Sequence, residues 1–260
     1  MNHGIYTGAA GAIANDKKFD IISNNLANVN TTGFKKQLIS FADMLPLPDK
    51  TNPAVTDERL PENFRKGVFN TSPFVDKVKT DFTQGYLKQT GNQFDLAISG
   101  EGFFMVKDAK GNVKYTRDGS FTMNNNGFLV NKNGEQVLDN KYNPIQLPTS
   151  DVKFLNMDEQ GNIYINDAYV AKVAVMAPDK EMLNRIGENE YMLKNKNAKP
   201  RESENYSVEQ GYLEGSNVNI VKEMTSMIEI MRLFQANQKV ITTIDSQLNQ
   251  KAVNDVGRVI

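Results

Sequence analysis

The feature that most constrains this chain is an apolar stripe along its C-terminal end. Ile220, Met224, Met227, Met231, Phe234, Ile241 and Leu248 recur in alternating steps of four and three, with Gln238 and Asp245 in the two skipped positions. That spacing sets the apolar residues along one side of a helix, and over about four heptads it reaches coiled-coil length. Val221, Ile228, Val240 and Ile244 flank the stripe, and Ser216 or Asn217 can cap the helix. A second helical pattern opens the chain. Ile5, Ala12, Phe19 and Leu26 fall every seventh residue, and Ala9, Ile13 and Ile22 widen the stripe. Gly4, Gly8 and Gly11 weaken that helix in isolation and let another backbone approach it closely. Asn28, Asn30, Thr31 and Thr32 lead into Gly33, a candidate left-handed turn that ends it.

Between the helices the period changes. Residues 45–80 hold Pro46, Pro48, Pro53, Pro61 and Pro73 with no sustained pattern, and read as an extended arm or linker. From 81 to 211 turn signals come close together: Gly111-Asn112, Asp118-Gly119, Asn126-Gly127 and Asn133-Gly134. Each reads as a hairpin turn pair, because Gly and Asn reach positive φ at low cost. The runs Phe94–Ile98, Phe103–Lys107, Val113–Arg117, Phe128–Asn131, Val152–Met157, Asn162–Ile165 and Tyr169–Met176 are rich in β-branched or aromatic residues and read as short antiparallel strands. The expected class is α+β: paired, coiled-coil-like terminal helices (1–44 with its following turn, and 212–260) around a central antiparallel all-β domain (81–211).

Composition removes most chemistry. With no cysteine, disulfides, iron–sulfur clusters and thiolate metal sites are excluded. The 30 basic and 31 acidic residues balance without a basic block, so no nucleic-acid footprint is expected. No apolar run is long enough to span a membrane, and the first residues do not read as a cleaved signal peptide. His3 is the single histidine, so no metal centre is expected. Gly100-Glu101-Gly102 lies between strand-like runs and reads as a hairpin turn, not a phosphate loop. Asp95 and Glu101 would have to meet to flank a glycosidic bond, which sequence alone does not arrange. No cofactor and no catalytic residue are expected. A polar β domain between two striped helices is the layout of a subunit that assembles through its ends; a β-rich binding module for periplasmic glycan or for another subunit is the alternative.

Three motifs carry a family resemblance. The run from Ile22 through Asn24, Asn25, Leu26, Asn28, Asn30, Gly33 and Phe34 to Lys35 resembles the N-terminal signature of bacterial flagellar rod and hook proteins. Thr83-Gln84-Gly85-Tyr86-Leu87 through Gly102-Phe103-Phe104, with Tyr115-Thr116-Arg117-Asp118-Gly119-Ser120-Phe121, is similar to the opening of their β domain. Gly211-Tyr212-Leu213-Glu214-Gly215-Ser216-Asn217-Val218-Asn219 resembles the motif that opens their C-terminal helix. The resemblance implies a structural rod subunit exported through the flagellum's own type III channel. It also implies a periplasmic place in the basal body, with other rod subunits as partners and torque passed from motor to hook. Within the family, the opening Met1–Thr7 and Glu214-Gly215-Ser216 favour a proximal rod member, while Asn30–Phe34 is as similar to the distal one.

The residues expected to pack subunits together are Ile5, Ala12, Phe19, Ile22, Leu26, Ile220, Met224, Met227, Ile228, Met231, Phe234, Ile241 and Leu248. The expected mechanism couples folding of the glycine-thinned helices to their burial between subunits.

Overall fold

A computed structural model describes residues 2–43, 73–148, 155–195, 198 and 200–256. The chain divides into two units: a helical one, built from 1–26, 37–80 and 220–260, and a β one, built from 27–36 and 81–219.

The helical unit holds α1 (Asn2–Ala27), α2 (Ile220–Val256) and a two-stranded antiparallel sheet of β1 (Gln37–Asp43) and β2 (Pro73–Thr80). The strand at 73–80 stands where the proline count led to an extended arm. Pro73 is tolerated because it is the strand's first residue, where no ladder donor is needed. The stretch 44–72 lies outside the described residues. α1 and α2 run antiparallel. Asn25 Nδ2 donates to Glu223 Oε2 at 3.3 Å, and Gly11, fourteen residues back along α1, lies against Asn237, fourteen residues on along α2. A Cβ at Gly11 would come within 3.2 Å of the Asn237 amide, so the glycine does permit close approach. α2 begins at Ile220, later than the expected cap. Ser216 Oγ instead accepts from the Val218 N–H at 3.3 Å, and the Asn217 side chain is engaged elsewhere in the β unit.

The β unit holds sixteen strands among the described residues: β3 (Leu87–Gln89), β4 (Leu96–Gly100), β5 (Phe103–Lys107), β6 (Val113–Thr116), β7 (Thr122–Met123), β8 (Leu129–Val130), β9 (Gln136–Val137), β10 (Leu155–Met157), β11 (Asn162–Ile165), β12 (Ala168–Lys172), β13 (Val175–Ala177), β14 (Leu183–Arg185), β15 (Glu190–Leu193), β16 (Arg201–Glu202), β17 (Tyr206–Gln210) and β18 (Tyr212–Glu214). A nine-stranded sheet runs β14-β15-β6-β5-β9-β8-β7, with β13 bridging β5 and β16. Beside it lie β10-β11-β12 and the pairs β17-β4 and β18-β3. The continuous apolar run of β5 follows from burial on both faces: Phe104 and Val106 enter one core with Leu96, Ile98 and Val175, while Phe103 and Met105 enter a second with Tyr115, Met176 and Tyr191.

One turn recurs. Asp108, Asn124, Asn131, Asp139 and Asp158 each accept from the backbone N–H two and four residues on through the side-chain oxygen, and from the third N–H through the carbonyl. This is a three-residue hairpin loop with a left-handed residue at its end, not a two-residue turn. That left-handed residue, three on from the Asp or Asn, is Gly111, Gly127, Gly134 and Gly161 in four turns and Tyr142, at φ 67°, in the fifth. Asp118-Gly119 is not such a turn. A Cβ at Gly119 would lie 1.7 Å from the Leu96 carbonyl oxygen, so that glycine answers a close backbone approach. Gly100-Glu101-Gly102 is not a hairpin either: β4 pairs with β17 and β5 with β6, β9 and β13, so the turn carries the chain from one sheet to another.

Candidate functional site

Two places gather the residues singled out by sequence: the outward face of the helices, and a buried knot in the β unit.

On α2 the side facing α1 is not the stripe read from spacing. Glu223 and Ile230 are buried, and Met227, Phe234, Asn237, Ile241 and Ile244 are half-buried, again in steps of four and three. This seam shares Met227, Phe234 and Ile241 with the expected one and departs from it elsewhere. Ile220, Met224, Ile228 and Met231 are 45–53% exposed, and Val221 more so. They lie roughly 70° to 170° round the helix from the buried side, at 100° per residue. α2 therefore carries a second apolar face that α1 does not cover. On α1, Ile22 is buried, Ala12, Phe19 and Leu26 are half-buried, and Ile13 is exposed. The side chains of Ile5 and Leu248 lie outside the described residues. Asn25, 1% exposed, folds back on β1: its Oδ1 accepts from the Gln37 N–H and its Nδ2 donates to the Gln37 carbonyl, both at 2.9 Å. Asparagine suits this place because its amide presents one acceptor and one donor group to a backbone unit.

The rest of the N-terminal motif belongs to the β unit. Asn28 is buried and Asn30 exposed, as Asn24 is on α1. Gly33 takes φ 67°, and a Cβ there would lie 2.3 Å from the Asp118 nitrogen, so both conformation and space require glycine. Phe34 is fully buried beneath the Arg185 guanidinium, 4.4 Å from its ring centre. Lys35 is 1% exposed and donates to Glu214 Oε1 at 2.5 Å and to the Thr83 carbonyl at 2.7 Å. The other Glu214 oxygen accepts from Arg117 Nη1 at 3.1 Å, and Oε1 also takes the Gly85 N–H. Burial lowers the pKa of Lys35 and of Arg117, and the Glu214 carboxylate opposes that shift in both. Asn217 ties the same neighbourhood: it accepts from the Lys36 N–H and donates to the carbonyls of Asp81 and Thr83.

Sequence reading missed Lys35, Arg117, Glu214 and Asn217 as structural centres, along with Glu223 and Ile230. A signal existed: the first four are polar residues inside motifs rich in glycine and apolar residues. Asp95 and Glu101, which would have to meet to flank a glycosidic bond, do not meet. Asp95 is buried just before β4 and Glu101 exposed just after it, which separates them by about 20 Å at strand rise. Among the described residues no group of acidic or histidine side chains could hold a metal ion, and no helix is long and apolar enough to cross a membrane.

These motifs recur in known proteins. Residues 5–35 match the profile of the flagella basal body rod protein, 97–165 that of the flagellar hook protein FlgE/F/G D1 domain, and 209–254 that of the flagellar basal body rod FlgEFG protein C-terminal region. The flagellar basal-body rod protein FlgF of Caulobacter vibrioides is 34% identical over 263 residues, with all of both chains covered. The chain belongs to the flagellar basal-body rod protein family. The rod protein FlgG of Bacillus subtilis is also 34% identical, covering 98% of this chain and 99% of that one. The flagellar hook-basal body complex protein FlhO of the same organism is 32% identical over the full length of both. Members of this rod family are structural, not enzymes, and the chain is a structural subunit of the flagellar rod. The three matched stretches contain Lys35, Arg117, Glu214 and Asn217, so the family motifs build the knot as well as the helices.

Proposed function

We propose that this rod protein polymerises through its terminal helices, and that the uncovered apolar face of α2 is where neighbouring subunits pack. The observation that supports this is the set Ile220, Val221, Met224, Ile228 and Met231, all exposed along one side of a single helix. At ~25 cal/mol per Å2, burying a few hundred Å2 of such surface at each contact, repeated through a lattice, stabilises an assembly. Packing of α1 and α2 with neighbours is coiled-coil-like in this reading, and the helices gain much of their stability from it. The partners are other flagellar subunits and the flagellar type III export apparatus. The position is the periplasmic part of the basal body, in a proximal rod segment, and the assembled shaft transmits torque from motor to hook. The opening residues and Glu214-Gly215-Ser216 support the proximal place.

Ile228→Asp tests the reading. The expected result is loss of rod incorporation and of self-association, with the thermal transition of the β unit unchanged. Normal incorporation of Ile228→Asp and Met231→Asp together would overturn it.

A further inference from the structure

We propose that Glu214 is a charge latch: the β unit closes only when the segment after α1 and the segment before α2 are seated together on its carboxylate. The inference rests on the interior of the β unit and is independent of how subunits assemble.

Glu214 is 0% exposed and divides its two oxygens between cations far away in sequence, Lys35 at 179 residues and Arg117 at 97. Its backbone carbonyl takes the Gly33 N–H at 2.8 Å, and its Oε1 takes the Gly85 N–H at 2.9 Å. One residue thus joins the 33–35, 83–85 and 117 segments. The fit is tight: a Cβ on Gly85 would sit 2.0 Å from the Gly215 carbonyl oxygen. The two cations share one carboxylate within the knot, and their other acceptors are backbone carbonyls, Thr83 for Lys35 and Ile98 and Gly100 for Arg117.

Buried ion clusters add little net stability over apolar side chains of the same volume, but removing one member leaves an uncompensated charge in the interior. Such a cluster discriminates between complete and incomplete structures. Chains are made N-terminus first. Until residue 214 arrives, closing the sheets would bury Lys35 and Arg117 without their counter-charge. The latch therefore delays closure of the β unit until more than four-fifths of the 260 residues exist.

Charge compensation in the full-length protein tests this, with urea unfolding of Glu214→Gln, Lys35→Met and the double variant. Glutamine keeps the shape and an acceptor but removes the charge. Glu214→Gln is expected to reduce the folding equilibrium constant of the β unit by roughly a hundredfold or more. Adding Lys35→Met to it should restore about tenfold, because one stranded cation disappears. A residue that merely packs would give losses that add. A double variant as unstable as Glu214→Gln alone, or less stable, overturns the latch. If Glu214→Gln does not fold, folding of the double variant supports the proposal, and failure of the double variant while Lys35→Met folds overturns it.

Discussion

In the β unit Phe103 and Met105 enter one core while Phe104 and Val106 enter another, so both sides of a single strand are buried within the chain. In the helical unit Met224, Ile228 and Met231 remain about half exposed, and polar side chains, Asn25, Glu223 and Asn237, occupy the seam between α1 and α2. One unit buries two apolar cores and leaves only scattered apolar side chains, Tyr86, Tyr169, Met182 and Ile186, exposed. The other leaves a face for something else. The proposed assembly through the helices rests on this contrast: two buried cores in the β unit, and an apolar helix face that α1 does not cover.

The sharpest way to break this contrast is to cut side chains of similar size from each unit. Phe104→Ala should destabilise the β unit by about 3–5 kcal/mol, because the ring is fully buried and meets Phe121 edge-on at 5.3 Å. Met231→Ala should change the monomer by less than about 0.5 kcal/mol, as surface substitutions do. Denaturant unfolding of both variants below the concentration of assembly measures the difference. A comparable loss from Met231→Ala would mean that α2's outer face is covered within the monomer.

Next in size is the seam itself. Asn25→Ala removes two hydrogen bonds to the backbone of Gln37 and one to Glu223, and should cost the helical unit about 1–3 kcal/mol through the unsatisfied buried groups. Hydrogen exchange read by segment would show faster exchange in 9–26 and 37–43, with the β5 and β6 amides unchanged. Faster exchange in β5 or β6 to match that of the helices would contradict a cost confined to the helical unit.

The sequence made some of this legible. Phe103–Lys107 and Asn162–Ile165 stand as strands over the residues read, because apolar, β-branched and aromatic runs bounded by turn residues leave few alternatives. Both terminal helices follow from their period. The side of α2 that meets α1 was not legible. Steps of four and three fit 220-224-227-231 and 223-227-230-234 alike, and it is Asn25 reaching Glu223 that selects the second. Gly119 read as a turn residue because composition does not distinguish a glycine needed for φ from one needed for space. The ion knot was invisible for a related reason: Lys35, Arg117 and Glu214 lie up to 179 residues apart, and nothing local marks them as neighbours.

A smaller effect probes the recurrent turn. Gly134 has φ 79° and nothing within 4 Å of where a Cβ would stand, so Gly134→Ala isolates the backbone cost. It should amount to about 1–2 kcal/mol, the penalty of the left-handed conformation for an L-residue with a Cβ. Thermal unfolding of the β unit measures it. No loss would mean that the turn relaxes, and that its five copies do not fix hairpin register.

The smallest effect is electrostatic and separates the units by pH. Lys114 sits between Glu135 and Glu190 in the β unit. Burial acts to lower its pKa, but hydrogen bonds to both carboxylates outweigh that and hold it above the ordinary 10.5. A raised lysine pKa means that the folded unit keeps a proton the unfolded chain gives up. Its contribution is fully present below pH 10.5 and is lost as pH rises through the folded value. Tyr191, pushed by burial up to about 12, and Tyr115, pushed higher still, act in the same direction, since unfolding lets both ionise. The Lys114 share is therefore the difference between the native protein and Lys114→Met: the native β unit should lose stability more steeply above pH 10.5 than the variant. The helical unit's Lys17–Asp20 pair is 3.6 Å apart and more than half exposed, so solvent screens it and it adds little to stability. Equal alkaline slopes for the native protein and Lys114→Met would show that the two glutamates do not hold the Lys114 proton, and that the β unit's alkaline sensitivity belongs to its tyrosines and to Lys172, which Glu202 also holds above its ordinary value.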